Sequence, residues 1–201
     1  MSNNQNKVLR FLYGTYCGRI ILKPLITKPV SQFVGKILSL PVSKIMIKRF
    51  IIKNNIDMND YIVKEYSSFN DFFTRDIKQD KRPFDINPNH LASLCDAKVL
   101  SYKINKNNRF AIKNSQYTIG ELLENDVLAE KYNDGCCLIF RLEATDYHHY
   151  CYFDGGKQDE NVYIKGQFHT VQPIAIDTMP IFKRNSRCYC TLETENFGDV
   201  V

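Results

Sequence analysis

Residues 1–56 contain ten Lys or Arg and no Asp or Glu, and their apolar residues return every three or four positions. A period near 3.6 makes helices with one apolar side. Where acids are absent, the charge on the other side is all positive. Val8, Phe11, Leu12, Tyr16 and Ile20 predict a helix over residues 7–22, after a polar leader, residues 1–6, without order. Pro24 and Pro29 interrupt the pattern, and Ser31 is placed to cap a second helix carrying Phe33, Val34, Ile37 and Leu38. Pro41, followed by Ser43, restarts it with Ile45, Met46, Phe50 and Ile52. Lys44 and Lys48 fall one turn apart, with Arg49 beside them. Short cationic helices broken by prolines suit a segment lying in the plane of a membrane surface. Lys44, Lys48 and Arg49 are therefore its expected membrane-binding residues, and an anionic bilayer its expected partner. The alternative is a set of helices packed on the next domain with solvated lysines. Nucleic acid suits the arm less, because Gly-rich strands with interleaved aromatics are missing from it.

The net charge of +5 conceals a division, since residues 57–201 hold seventeen Lys or Arg against twenty-two Asp or Glu. Two regions are expected: a basic helical membrane-associating segment, 1–56, and a domain, 57–201. Residues 61–77 read as one or two helices with Phe69, Phe72 and Phe73 on one face. From Arg82 onward the period shortens to two. Runs 98–104, 109–113, 136–142, 147–153, 162–169 and 187–194 read as strands. Residues 117–125 read as a lone short helix capped by Thr118, with Glu121 three positions on. Helices followed by strands predict an α+β fold. Seven cysteines at irregular spacing make neither a disulfide scaffold nor a zinc knuckle, which favours a reducing, cytoplasmic setting. Neither a signal peptide nor a run of about eighteen apolar residues is evident. The expected location is thus peripheral, at the cytoplasmic face of a membrane.

Chemistry concentrates in residues 141–156, RLEATDYHHYCYFDGG, between the apolar run 136–140 and a Gly-Gly turn. Asp146, His148, His149 and Cys151 lie within six residues. Proton-handling groups where a core strand meets a loop are a common way to build an active site. If the segment is extended, His148 and Tyr150 share one face, and His149 and Cys151 the other. The plainer alternative is two surface histidines and a core cysteine. The spacings fit no zinc motif, so no metal is expected and a metal-dependent hydrolase is set aside.

Several separated blocks resemble, in order, the phosphatidylserine decarboxylase family. They are Phe69-Asn70-Asp71-Phe72-Phe73-Thr74-Arg75 with Lys81-Arg82-Pro83; Cys95-Asp96-Ala97-Lys98-Val99; and Tyr117-Thr118-Ile119-Gly120-Glu121-Leu122-Leu123. Asp146-Tyr147-His148-His149-Tyr150-Cys151 follows, then Asn185-Ser186-Arg187 and Thr194-Glu195-Asn196-Phe197-Gly198. The resemblance implies decarboxylation of phosphatidylserine to phosphatidylethanolamine, with a pyruvoyl group as electron sink. That group would arise from a serine in a Gly-Ser-Thr/Ser motif when the proenzyme cleaves itself, leaving the serine's remnant on a C-terminal alpha chain. By position, Asp96 matches the carboxylate that orients the self-cleavage base, and His148 the histidine near the substrate carboxylate. Cys151 stands where the family carries that base, a second histidine. Ala97 replaces the usual glycine and His149 the usual arginine. A thiol of ordinary pKa, about 8.5, is mostly protonated at neutral pH, so His149 is the alternative base. The 201 residues contain no Gly-Ser-Thr/Ser. The expectation is a family member cut short before its pyruvoyl-forming site and inactive alone. The competing expectation is a non-catalytic relative that binds lipid at the membrane surface.

Overall fold

The computed structural model describes residues 3–105, 109–112 and 115–201. Met1 and Ser2 of the leader, and Lys113 at the end of one expected strand, lie outside them. The helices are α1 (Asn3–Gly14), α2 (Tyr16–Leu25), α3 (Lys28–Leu38), α4 (Ile45–Asn54), α5 (Phe69–Phe73), α6 (Ile119–Leu123), α7 (Asp126–Glu130), α8 (Pro173–Thr178) and α9 (Ile181–Arg184). The strands are β1 (Lys98–Lys103), β2 (Arg109–Ile112), β3 (Ser115–Thr118), β4 (Cys136–Arg141), β5 (Gly156–Gln158), β6 (Val162–Ile164), β7 (Arg187–Tyr189), β8 (Leu192–Thr194) and β9 (Gly198–Val200). Helices followed by antiparallel ladders make the fold α+β.

Helix boundaries depart from the sequence expectations for local reasons. The helix expected over 7–22 is two, and α1 already starts at Asn3, inside the expected leader. The break falls at Thr15, whose hydroxyl accepts the Gly18 N–H at 3.0 Å and donates to the Phe11 carbonyl at 2.8 Å. Gly18 is needed there, because a Cβ would lie 1.9 Å from the Phe11 carbonyl oxygen. Ser31 is not a cap. Pro29 enters the first turn of α3, where a missing N–H costs nothing, and this moves the start of the helix ahead of Ser31. Among the described residues no single helix is long and apolar enough to cross a membrane. Lys28–Leu38 and Pro41–Asn54, bent by 75°, reach that length and apolarity only together.

The chain forms two compact units, each of three segments. One comprises residues 1–32, 101–138 and 161–189. Its core joins Tyr13, Leu22 and Ile26 to Ala175, Ile176 and Ile181. Helix α6 starts at the expected capping box of Thr118 and Glu121. Its C-terminal carbonyls are taken by Arg187, which donates to Glu121 and Leu122 backbone oxygens. Asn185 exchanges hydrogen bonds with the His169 backbone at 2.9 and 3.0 Å. The Asn-Ser-Arg block is thus a structural clasp.

The other unit comprises residues 33–100, 139–160 and 190–201. Its core is Ile56, Tyr61, Phe69 and Phe72, with Phe50, Tyr66, Phe73 and Tyr147 packed around them. Of residues 61–77 only α5 is helical, capped by Ser68. Residues 61–68 are not helical: Ile62 donates to the Asp76 carbonyl at 2.9 Å and Tyr61 bridges Ile77. The run 187–194 is two strands, since β7 pairs with β6 whereas β8 pairs with β5 and β9. The β8–β9 turn closes on Gly198, whose φ of +74° favours glycine. Asp154 holds the same turn by accepting the backbone and side-chain N–H groups of Asn196.

Candidate active site

The site is built on the loop after β4, within the second unit. Its tight entry follows from Asp146, whose carboxylate accepts the Glu143 N–H at 2.6 Å. Beyond that turn the chain does not form the strand expected over 147–153. The Cys151 N–H goes to the Leu94 carbonyl at 2.8 Å instead of to a ladder. Face alternation therefore does not govern the loop, and each side chain is placed by its own partners.

His148 Nδ1 lies 2.9 Å from the Asp146 carbonyl. A carbonyl only accepts, so Nδ1 carries the hydrogen and Nε2 is the nitrogen left for chemistry. The ring rests on Phe73 with centroids 4.1 Å apart. Burial pushes its proton affinity below the ordinary histidine value; the bond to Asp146 opposes this, while Arg75 and His149 add to it. His149 has partners of its own: its Nε2 donates to the Thr74 carbonyl at 3.1 Å, and its ring stacks on Tyr147 at 4.5 Å.

Asp96 sits in the loop before β1, its oxygens held by Arg82 Nε and Nη2, each at 2.8 Å. The guanidinium, with the Tyr147 backbone N–H, holds its carboxyl below the usual carboxylate range against the effect of burial. Asp96 thereby ties the first strand's approach to the residue before His148. The Cys151 thiol faces the carbonyls of Ser93 and Leu94, at 3.6 and 3.5 Å. Asp96, Cys151 and Asp146 all lie close enough to Cys95 to raise its proton affinity, after the larger effect of burial. These groups thus share one neighbourhood. A cavity of about 410 Å³ opens just beyond, lined by Tyr152–Gly156 and by β8 residues, and none of Asp96, His148 or Cys151 lines it.

The Arg82–Asp96 pair fixes a pH dependence. A depressed carboxyl contributes stability above its unfolded pKa of about 3.9, and that contribution is lost as pH falls through the lower folded value. Asp96→Asn is expected to cost about 1 kcal/mol at pH 7, the pair being partly exposed, and to flatten the acid limb of stability. Urea midpoints at pH 7 and pH 3 that fall equally in wild type and variant would show the pair to be inert.

Two residues in this neighbourhood were visible in the sequence blocks without a role. Arg82 is the partner of Asp96, and Arg75 reaches the loop's Thr145 carbonyl at 2.9 Å. An arginine closing an aromatic run was the available signal. Among the described residues no three His, Cys, Asp or Glu side chains gather as a metal site. The donor set is an imidazole with one nitrogen free, a thiol and an ion-paired carboxylate. Such groups can take up and deliver protons at defined atoms.

The family profile described as phosphatidylserine decarboxylase matches residues 69–201. The chain belongs to the phosphatidylserine decarboxylase family. It is 42% identical over 198 residues to phosphatidylserine decarboxylase proenzyme 2 of Clostridium acetobutylicum, covering 98% of this chain and 68% of the relative. It is 38% identical over 201 residues to the phosphatidylserine decarboxylase proenzyme of Clostridium tetani, covering 97% and 67%. With that of Fusobacterium nucleatum the identity is 38% over 197 residues, covering 96% and 66%. The chain thus spans about two thirds of the length of these relatives.

Proposed function

We propose that this chain supplies the lipid-binding and proton-handling part of a phosphatidylserine decarboxylase, working at the cytoplasmic face of an anionic membrane. The observation that carries the reading is His148. It is one half-buried imidazole with its tautomer fixed by the Asp146 carbonyl and no hydrogen bond to Nε2 among the described residues. A pyruvoyl ketone, derived from the serine of a Gly-Ser-Thr/Ser segment on the C-terminal alpha chain, supplies the electron sink for loss of CO₂.

The chain's own residues do the rest. His148 Nε2 meets the substrate carboxylate. An arriving anion offsets the burial that lowers the imidazole's proton affinity, favouring uptake of the proton that is then delivered to the carbon that loses CO₂. Asp96, locked by Arg82, fixes the backbone beside His148 and stands as the orienting carboxylate. Cys151 is assigned the base position for self-cleavage. A non-catalytic lipid-binding relative is the second reading, favoured by that cysteine, whose thiol faces backbone carbonyls.

Membrane contact has two supports, one in each unit. In the second unit Phe33, Val34, Ile37, Leu40, Val42, Ile45 and Met46 are exposed, with Ile45 83% accessible. Lys36, Lys48 and Arg49 are exposed among them, while Lys44 pairs with Glu65 at 3.3 Å. In the first unit Phe11, Tyr16, Ile20 and Ile21 are exposed beside Arg10 and Arg19. Apolar side chains rimmed by cations are the form of an interfacial surface, each cation adding about 1 kcal/mol on anionic lipid.

The test supplies the chain, fused or in trans, with a polypeptide carrying the family's Gly-Ser-Thr/Ser segment. Carboxyl-labelled phosphatidylserine vesicles are then added. Expected are salt-sensitive vesicle binding with or without the segment, and labelled CO₂ only with it. Binding and segment cleavage without CO₂ would favour the lipid-binding module. Release of CO₂ by the 201 residues alone would overturn the pyruvoyl route.

A further inference from the structure

Arg75 is 1% exposed, among the most buried large side chains of the protein. No carboxylate pairs with its guanidinium among the described residues. Nη2 donates to the Tyr61 hydroxyl at 3.1 Å and to the Thr145 carbonyl at 2.9 Å. Its centre lies 4.1 Å from the Tyr61 ring and 5.1 Å from that of Phe72. Among the described residues Nε and Nη1 are buried without a partner. A buried charge without a counter-ion is costly even after relaxation, and cation–π contacts with two rings offset only part of that cost. An apolar side chain would fill the space at less cost. A residue kept against that cost calls for a role.

An anion receptor is the first candidate, and the geometry disfavours it. A carboxylate or phosphate grips guanidinium along one of two edges, and Nη2 belongs to both. Nη2 is already committed to protein oxygens. Rings of Tyr61 and Phe72 lie against the guanidinium, and almost none of it reaches solvent.

What Arg75 does hold is the turn that carries His148. The Thr145 carbonyl it grips is followed by the Asp146 carbonyl, which fixes His148 Nδ1. Phe73, two positions before Arg75, is the ring on which His148 rests. Residues 73–75 therefore touch the histidine through a ring and clamp its loop through a cation. We propose that Arg75 is a positioning residue for His148, holding the histidine's turn in place and setting a permanent, unscreened positive charge beside the imidazole. This rests on the reading of His148 as the group that meets the substrate carboxylate. The charge gives that meeting its order. With no substrate, burial, Arg75 and His149 lower the imidazole's proton affinity, against the opposing pull of Asp146. When a carboxylate arrives, it supplies the one charge that outweighs them, so protonation follows binding.

The experiment is a histidine NMR titration of the 201-residue chain without substrate, which has only four histidines to assign. His148 is expected to titrate below the ordinary value of about 6.5. Arg75→Met should move its midpoint upward, whereas Arg75→Lys, keeping the charge, should leave it near wild type. His169, which belongs to the first unit, should stay fixed in all three. If Arg75→Met does not fold, the wild type alone decides. The Arg75 Nε–H signal should exchange slowly and shift with the same midpoint as His148, because a charge appearing on the imidazole changes the field at the guanidinium. The proposal is overturned if His148 titrates identically in wild type and Arg75→Met, or if Arg75→Lys moves as far as Arg75→Met. An Arg75 signal blind to His148 would overturn it as well. No step of this test needs CO₂ release, so its failure and that of the decarboxylase reading are distinguishable.

Discussion

Replacing Phe72 with alanine is expected to cost about 3–5 kcal/mol, the range for removing a buried phenylalanine from a core. Phe72 is wholly inaccessible and sits among other rings: Tyr66 at 5.3 Å, Phe50 at 6.1 Å and Phe69 at 6.1 Å. These contacts are edge-on or tilted, so the neighbours cannot slide together to fill the gap without losing their own geometry. Phe72 also faces the guanidinium of Arg75, so its loss exposes a charge as well as a cavity. Against a total of about 5–15 kcal/mol for an ordinary domain, this is enough to leave the second unit largely unfolded. Urea denaturation followed by tyrosine fluorescence would measure it, with Phe84→Ala as control because Phe84 is 49% exposed. A change below about 1 kcal/mol in Phe72→Ala would mean that the aromatic cluster is not the core of that unit.

Changing His148 to alanine is expected to lower decarboxylation by roughly 10²–10⁴-fold, the usual worth of a positioned proton donor. The measurement uses the protein completed with the Gly-Ser-Thr/Ser segment. Chain cleavage should survive in His148→Ala, since that step is assigned to Cys151 and Asp96. The split between cleavage and turnover is the informative result. Loss of both together would show that His148 serves self-processing, or that its removal collapses the loop. The Asp146 carbonyl and Phe73 hold the His148 side chain but do not depend on it. The turn itself is closed by the Asp146 carboxylate on the Glu143 N–H. Collapse is therefore not expected, and normal activity in His148→Ala would remove the histidine from the mechanism.

The early helices show what kind of information a sequence carries. From residue 7 to residue 54 the helices follow in the expected order because a 3.6-residue apolar period can be satisfied by one local conformation. The capping box of Thr118 and Glu121 was legible for the same reason, all its partners lying within three positions. Ser31 misled because Pro29 was also able to start the helix, and only one of two local signals can win. The strand expected over 147–153 failed for a different reason. Alternation of apolar and polar residues records which side chains are buried, but the Cys151 N–H is taken by Leu94, some fifty-seven positions away. No period in the sequence encodes that choice.

The sequence by itself determined the helical start, the acid-free basic segment, the α+β class and the family, because these rest on local periodicity, charge count and ordered motif blocks. Asp96, His148 and Cys151 were named on that basis. Tertiary structure alone decided how they are held: Arg82 on Asp96, the Asp146 carbonyl on His148 Nδ1, and His149 turned to Thr74. It alone gave Arg75 a place, since a buried cation is defined by what surrounds it. Tyr61, Phe72 and Thr145 come from 14, 3 and 70 positions away, and only folding brings them to one guanidinium.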